Sequence, residues 1–229
     1  MNDMTRPGDP DPPYLYPGYR STALRAPKQP LVALPAGTLD IPFARVDPAF
    51  VKAGDNDLTV HGKSAPLGER MILTGRLLDE EGRPIRRSLV EIWQANASGR
   101  YHHAGDQHDA PLDPNFVGNG KTMTDDEGRY RFVTIKPGSY PWPNHANAWR
   151  PQHIHFSLLG NAPIQRLVTQ MYFPGDPLLA LDPIYQSIPE AARERLVSRL
   201  DLEVGIENYA LGYQFDIVLA GAKSTPLGI

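Results

Sequence analysis

Two histidines separated by one residue carry the clearest chemical signal in this chain. His153 and His155 lie in segment 149–156, where the apolar residues Ile154 and Phe156 alternate with them. Side chains alternate between the faces of a β-strand, and each residue advances the strand by ~3.3 Å, so the two imidazoles would share a face with Cα atoms about 6.6 Å apart. Such a pair can bind one metal ion. The alternative is two half-buried histidines hydrogen-bonded to the backbone.

Two histidines do not complete a mononuclear metal site. The candidates for further ligands near the predicted strand ends are Tyr101, Tyr140, Glu91, Asp106 and Asp113. A carboxylate with two histidines would suggest a ferrous facial triad or a catalytic zinc, but no carboxylate stands beside the histidine pair at the usual spacing. The tyrosines are better placed. A phenol with a pKa near ~10 binds as phenolate only to a strong Lewis acid, and a ferric ion is such an acid.

The segments that must position these residues predict a β-rich fold. Short apolar segments recur about every ten residues between Gly, Asp and Pro turns, which is typical of an antiparallel sandwich or barrel. The predicted strands are 71–78, 89–94, 130–135, 155–159, 167–173 and 213–219. One helix is predicted where Ser187 can act as N-cap, Glu190 follows three residues later and residues 191–200 are good helix formers.

The first 30 residues are predicted to form an extended arm, followed by a β-sandwich domain over residues 31–229. Seven prolines in the arm disfavour helix. Tyr14, Tyr16 and Tyr19 are more aromatic residues than a disordered tail usually carries. We therefore expect the arm to pack on its own domain or on a partner subunit, with a mobile tail as the alternative.

The composition argues against several classes of protein. Cysteine is absent, which excludes a disulfide scaffold, a thiolate metal site and a cysteine nucleophile. The net charge is −3 and no stretch concentrates Lys and Arg, so neither nucleic acid nor an anionic membrane is expected as a partner. The chain shows no signal-peptide pattern and no segment long enough to span a bilayer. The expected location is cytoplasmic.

Residues 73–101 resemble the signature of the intradiol ring-cleavage dioxygenases. The matching elements are Leu73-x-Gly75-x-Leu77, Gly82, Ile85, Val90-Glu91-Ile92 and Gly99-x-Tyr101. Beyond the signature, the resemblance is to the iron-holding chain of the two-chain members of this family that cleave protocatechuate, through segments 90–97, 112–116, 134–138, 140–142 and 149–156. It extends from about Tyr19 to Leu219.

The resemblance implies one non-haem Fe(3+) per chain, held by Tyr101, Tyr140, His153 and His155. It implies an all-β fold, an immunoglobulin-like β-sandwich, here with the extended arm and one or two short helices. It also implies a partner, a homologous α chain without iron ligands, in a higher-order αβ oligomer.

The implied reaction is the ring cleavage of protocatechuate (3,4-dihydroxybenzoate) by O2. Both oxygen atoms enter between the two hydroxyl-bearing carbons and give 3-carboxy-cis,cis-muconate, with the iron as Lewis acid. Three residues carry implied catalytic roles. The Tyr140 phenolate would leave the iron and accept a substrate proton, Arg150 would bind beside the ring and stabilise negative charge in a dry pocket, and Gln170 would lie near the oxygen site.

Three further residues are implied to contact the substrate. Tyr19 would hydrogen-bond the substrate carboxylate, which would explain an ordered arm. Trp142 and Ile184 would form walls of the pocket, with core packing as an equal interpretation, and Trp93 is interpreted as a core residue. Ser139 and Pro143 depart from the family pattern, as does the histidine-rich segment 102–108; these departures leave the substrate preference open but not the ligand set.

Three alternatives remain at this stage. The chain could cleave another catechol, such as catechol or hydroxyquinol. It could be a zinc hydrolase that uses the histidine pair. It could be a non-enzymatic β-sandwich module in which the histidines and tyrosines are structural.

Overall fold

Two β-sheets packed face to face form the body of the computed structural model. The structure describes residues 9–32, 46–159 and 166–228. The first eight residues of the predicted arm, and residues 33–45, 160–165 and 229 of the predicted domain, lie outside the described residues. In chain order the strands are β1 (Arg70–Leu78), β2 (Leu89–Trp93), β3 (Asn119–Met123), β4 (Arg129–Ile135), β5 (Tyr140–Pro141), β6 (Trp149–Arg150), β7 (His153–Leu159), β8 (Arg166–Tyr172), β9 (Arg199–Leu200), β10 (Leu211–Gln214) and β11 (Ile217–Val218).

The first sheet is built on β1. This strand pairs antiparallel with β4 on one side and parallel with β10 and then β11 on the other, and β9 adds to β10. The second sheet has the order β3-β2-β7-β8, all antiparallel. A two-stranded ribbon of β5 and β6 stands apart from both sheets.

The hydrophobic core lies between the two sheets. Both sheets contribute large side chains with almost no exposed surface, among them Leu73 and Phe132 from the first and Ile92, Phe156 and Leu158 from the second. This layering follows from the alternating pattern of the strands, because period-two apolar residues can only be buried on one face. The predicted β-sandwich is confirmed.

The two faces of strand β7 have different surroundings. Ile154, Phe156 and Leu158 belong to the core between the sheets. His153 and His155 alternate with them and therefore lie on the opposite, outer face of the second sheet. The strand predicted for this segment is confirmed, and it begins two residues earlier than the predicted bounds.

The predicted helix after Ser187 is wrong in position. Helix α2 (Pro183–Ser187) ends at Ser187, whose hydroxyl donates to the Ile184 carbonyl over 2.7 Å and does not act as N-cap. Asp182 caps this helix instead, and its first residue is a proline, which suits that position. The following Ile188 precedes Pro189 and is extended, because a residue before proline avoids helical backbone.

The chain after Pro189 does not continue as one helix. A short helix, α3 (Glu190–Arg193), is followed by a 3-10 turn and then by strand β9, which occupies the end of the predicted helix. The backbone amide of Ser198 donates to the Tyr172 carbonyl over 2.9 Å. Pairing of Ser198 with the second sheet and of β9 with β10 in the first sheet therefore overrides the helical preference of the sequence.

Three other expectations about the strands need correction. The predicted strand 213–219 is divided into β10 and β11, with Phe215 between them. The pairing of β1 with these two strands is parallel, so the sandwich is not wholly antiparallel. Strand β3 was not predicted, since its sequence Asn-Gly-Lys-Thr-Met lacks apolar alternation; it is an edge strand without fully buried side chains.

The described part of the arm packs on the domain and is not extended throughout. Residues Thr22–Arg25 form one helical turn, α1, in a stretch of the arm that contains no proline. The side chain of Asn144, in the domain, binds the arm. Its oxygen accepts from the Arg20 amide over 2.9 Å, and its nitrogen donates to the Gly18 carbonyl over 2.8 Å. No helix among residues 9–32, 46–159 and 166–228 has the length and apolar character that a membrane crossing requires.

Candidate metal centre

The predicted ligands meet on the outer face of the second sheet. His153 and His155 come from β7, while Tyr140 comes from the β5–β6 ribbon and Tyr101 from the long connection between β2 and β3. The ribbon also pairs Tyr140 directly with Arg150. Residues separated by as many as 54 positions in the sequence are therefore neighbours at one point.

Four donor atoms converge on this point. The Nε2 atom of His153 lies 3.2 Å from Nε2 of His155, 3.3 Å from the Tyr140 hydroxyl and 3.5 Å from the Tyr101 hydroxyl. The rings of Tyr101 and Tyr140 are edge to face, with centroids 5.4 Å apart. Two phenol oxygens and two imidazole nitrogens thus surround one small volume.

The protonation of His153 is fixed by its second ring nitrogen. Nδ1 lies 2.7 Å from the Pro151 carbonyl oxygen, which can only accept, so Nδ1 carries the proton and Nε2 presents a lone pair. Burial, aided by the Arg150 charge, lowers the pKa of His153 well below its usual range and that of His155 to about 3. Both imidazoles are therefore neutral, the state in which histidine binds a metal.

The two phenols complete a donor set that fits a metal ion. Burial raises the pKa of both Tyr101 and Tyr140, so neither would ionise unaided. The single lone pair on Nε2 of His153 faces three polar atoms and cannot satisfy all of them with hydrogen bonds. A cation among the four atoms would satisfy each of them at once and would reverse the pKa shifts of the phenols.

Gly99, one of the signature glycines, brings the two tyrosines together. It has a φ of +82°, and a Cβ at this position would overlap the Ser139 carbonyl oxygen, next to Tyr140. The loop carrying Tyr101 can therefore lie against the chain before Tyr140 only if residue 99 lacks a side chain. The Asp106 carboxylate further fixes Tyr101, because it accepts a hydrogen bond from the Tyr101 backbone amide over 2.7 Å.

Arg150 and Gln170 meet in a buried polar cluster beside the donor set. Arg150 is 4% exposed and its Nη2 donates to the Gln170 side-chain oxygen and, over 3.3 Å, to the Tyr172 hydroxyl. Its Nε is 3.3 Å from the Asp182 carboxylate. Burial alone would lower the pKa of Arg150, but Tyr172 and Asp182 raise it above the usual value, so the guanidinium stays charged.

The predicted substrate contacts are only partly brought together. Trp142 lines an open cleft of about 900 Å³ together with Tyr101 and Tyr140. Tyr19 does not line this cleft but packs edge to face on Trp142, with ring centroids 5.4 Å apart. Ile184 is 4% exposed at the start of α2 and also does not line the cleft.

Three residues of this region were not predicted from the sequence as parts of the site. Trp93 was interpreted as core, yet its ring stacks parallel on the imidazole of His155 with centroids 4.8 Å apart; it pairs with His155 across β2 and β7. Tyr172 and Asp182 were not singled out. Tyr172 stands two residues after Gln170 on the same strand face, and Asp182 before a proline is an N-cap signature, so both left a signal in the sequence.

Two family models match this chain. The model described as dioxygenase matches residues 46–221, and the model described as the N-terminal part of the protocatechuate 3,4-dioxygenase beta subunit matches residues 4–36. Over 218 residues the chain is 58% identical to a protocatechuate 3,4-dioxygenase beta chain of Burkholderia cepacia, covering 94% of this chain and 93% of that one. A hydroxyquinol 1,2-dioxygenase of a Rhizobium strain is 31% identical over 63% of this chain and 49% of its own length.

Solved structures of similar fold lead to the same group of proteins. A catechol 1,2-dioxygenase of an Acinetobacter strain superposes with a TM-score of 0.53 at 27% identity, over 74% of this chain and 59% of that chain. A 3-chlorocatechol 1,2-dioxygenase of Rhodococcus opacus gives a TM-score of 0.58 at 24% identity, over 73% of this chain and 65% of that chain. The second likeness shows the shared fold alone.

Proposed function

The chain belongs to the intradiol ring-cleaving dioxygenases, as its signature residues predicted, and on that premise we propose that it cleaves protocatechuate. In the proposed reaction both atoms of O2 enter between the two hydroxyl-bearing carbons, and the product is 3-carboxy-cis,cis-muconate. The observation that carries the proposal is the meeting of Tyr101, Tyr140, His153 and His155 around one volume, in a chain 58% identical to a protocatechuate-cleaving relative.

Iron is the metal that the family uses, and we propose one ferric ion per chain at this donor set. Two anionic phenolate oxygens are hard ligands and stabilise the ferric over the ferrous state, while neutral imidazoles suit either. Once bound, the iron would supply a Lewis acid that withdraws electron density from the catechol ring. A zinc hydrolase is less well supported, because the described ranges contain no group of three or more His, Cys, Asp or Glu able to hold a metal.

The proposed roles of the protein side chains follow from their positions. Tyr140 lines the cleft, so its phenolate oxygen can accept a proton from a catechol hydroxyl that enters there. Arg150 is held next to Tyr140 by the β5–β6 ribbon, and its charge would stabilise negative charge on the ring in a water-poor site. Gln170 would act with Arg150, whose guanidinium contacts its side-chain oxygen.

Tyr19, Trp142 and Ile184 remain the proposed substrate contacts. Trp142 can reach a ligand directly from the cleft wall. Tyr19 and Ile184 do not line the open cleft, so their proposed contact with the substrate requires the ring to bind deeper than this cleft.

The proposal includes a partner chain and a location. The match to a beta chain supports an α partner and a higher-order αβ assembly. A cytoplasmic location is proposed as well, by likeness to the beta chain of Burkholderia cepacia.

Oxygen uptake on purified protein tests the proposed function. Protocatechuate, catechol and hydroxyquinol should be compared as substrates, with and without a co-expressed α chain. We expect uptake with protocatechuate and a red-brown colour from tyrosinate-to-ferric charge transfer. A colourless, iron-free preparation that hydrolyses esters would point to the zinc alternative. Faster oxygen uptake with catechol or hydroxyquinol than with protocatechuate would change the proposed substrate.

Tyr140→Phe tests whether the Tyr140 phenol acts as a proton acceptor in addition to binding the metal. The variant should retain iron through three remaining ligands but turn over roughly 100-fold more slowly, because the proton acceptor is lost. Iron content and oxygen uptake, measured on the same preparation, check both parts. Unchanged turnover would remove Tyr140 from the mechanism.

A further inference from the structure

We propose that Asp182 is a positioning residue for the guanidinium of Arg150. The inference rests on the proposed function only for its kinetic readout, since the contacts that carry it belong to the protein alone. Asp182 has no exposed surface and is the only carboxylate in contact with Arg150 among the described residues. Arg150 lies on β6, whereas Asp182 immediately precedes α2, so the pair links the ribbon to that helix.

Each oxygen of the carboxylate has a defined set of donors. Oδ1 accepts from the Ile184 amide over 3.2 Å, as N-cap of α2, and lies 3.3 Å from Nε of Arg150. Oδ2 accepts from Nε over 3.3 Å and from the Tyr172 hydroxyl over 3.3 Å. A carboxylate held on both oxygens by rigid elements can fix the orientation of the guanidinium.

The rest of the cluster closes the ring of contacts around Arg150. The Tyr172 hydroxyl also lies 3.2 Å from the Gln170 side-chain oxygen, so its single proton is shared between this oxygen and Oδ2 of Asp182, and Nη2 of Arg150 contacts both the hydroxyl and the Gln170 oxygen. Thus Nε and Nη2 are engaged by the protein. None of the hydrogen bonds among the described residues uses Nη1, so this nitrogen is the donor that we propose Asp182 holds ready for a ligand.

Asp182→Asn is the main test, because it keeps the shape and a capping oxygen but removes the charge. We expect kcat for ring cleavage to fall roughly 100-fold, the scale of a 1 Å misplacement of a catalytic group. KM should change by less than about threefold. Iron content should not change, since no hydrogen bond among the described residues joins Asp182 to a proposed metal ligand.

Asp176→Asn is the matched control. Asp176 is also an N-cap, of the 3-10 turn Pro177–Ala180, and accepts from the Leu178 and Gln152 amides over 2.9 Å, but it does not contact Arg150. Its kcat should stay at the wild-type value. An equal loss in both variants would show a general effect of cap removal and would overturn the proposal.

A double-variant cycle asks whether Asp182 acts through Arg150. In an Arg150→Lys background, Asp182→Asn should lower kcat by less than about threefold, because the group that it positions is already lost. If the double variant instead shows the product of the two single-variant losses in kcat, the proposal is contradicted. If Asp182→Asn does not fold, Tyr172→Phe provides a second test, because it removes one of the donors that hold the Asp182 carboxylate; kcat should fall, and an unchanged kcat would contradict the proposal.

Crystal structures of the full-length variants provide a readout that does not depend on activity. In Asp182→Asn the Arg150 guanidinium should leave the Gln170 side-chain oxygen, and in Asp176→Asn it should not. A guanidinium that stays in place in Asp182→Asn overturns the proposal whatever the kinetics show. Absence of ring cleavage by the wild type would instead refute the proposed function and leave this structural test intact.

Discussion

His153 shows how one hydrogen bond prepares a side chain for metal binding. The Pro151 carbonyl accepts from Nδ1 and so directs the Nε2 lone pair towards the phenols and His155. A hydrogen bond to the ring nitrogen that does not face the metal fixes both the tautomer and the ring orientation. Trp93 stacks on His155 and limits the rotation of that ring in turn.

The histidine ligands can be tested by removing one of them. His155→Ala should lose at least about 100-fold in iron affinity, because removal of a ligand is more severe than loss of an outer-shell partner. The charge-transfer colour should disappear with the iron. His108→Ala is the matched control, since His108 lines the same cleft outside the donor set and should leave the iron content unchanged. Full iron occupancy in His155→Ala would refute the assignment.

The lowered pKa of His155 predicts how the stability of the iron-free chain depends on pH. The pKa is about 3 in the folded state and about 6.5 when unfolded, so between these values the unfolded chain binds more protons. The free energy of unfolding should therefore fall as the pH is lowered from 6.5 to 3, by up to about 1.4 kcal/mol per pH unit for this group.

Urea unfolding of iron-free protein at several pH values measures this dependence. His155→Gln removes the titrating group and should give a shallower curve. The dependence of the unfolding free energy on pH that remains in the variant would come from His153 and other groups. Identical curves for the wild type and the variant would contradict the predicted shift.

At the scale of elements, the connection between β10 and β11 explains the signature glycine Gly75. The Phe215 carbonyl, between the two strands, approaches β1 at Gly75 and accepts a hydrogen bond from the Tyr130 hydroxyl. A Cβ on residue 75 would overlap that carbonyl oxygen and lie 2.6 Å from the Tyr130 oxygen. The glycine therefore allows the broken strand to pair with β1 on both sides of the break.

Gly75→Ala should destabilise the fold by about 3 kcal/mol, because neither the carbonyl nor the buried tyrosine can move without disturbing the core. The midpoint of urea unfolding measures the loss. Gly82→Ala is the control: residue 82 has a φ of +79° but open space around it, so only backbone strain of about 1 kcal/mol is expected. Equal losses at the two positions would show that crowding at residue 75 is not the cause.

At the scale of the whole molecule, the arm joins parts of the domain that are distant in sequence. Gly18 and Arg20 are bound to Asn144, and a Cβ on Gly18 would lie 3.6 Å from Pro183 at the start of α2. Asp11 accepts from the Leu227 amide over 2.8 Å, which connects the arm to the other end of the described chain. The arm thereby places Tyr19 against Trp142 at the cleft wall.

Asn144→Ala should release the arm without unfolding the domain. The variant loses two hydrogen bonds worth about 1 kcal/mol each, so cleavage by trypsin after the exposed Arg25 should become up to roughly 30-fold faster. Asn147→Ala, at an exposed position in the same loop, should be cleaved at the wild-type rate. Equal cleavage rates in the wild type and Asn144→Ala would mean that other contacts hold the arm.

The sequence by itself determined the β-sandwich, the shared face of His153 and His155, and the family of the chain. Each of these depends on local information, since strand periodicity fixes which face a side chain occupies and the signature residues lie within 29 consecutive positions. The local pattern did not predict the edge strand β3 or the break of the helix at Pro189, where strand pairing and proline sterics prevailed over composition.

Only the tertiary structure decided which distant residues meet. The parallel pairing of β1 with β10, the stacking of Trp93 on His155 and the closure of Asp182 on Arg150 all join residues at least 32 positions apart. The physical reason is that periodicity gives each strand a face but no partner. Partners are chosen when the whole core closes and every buried charge has to find an opposite charge.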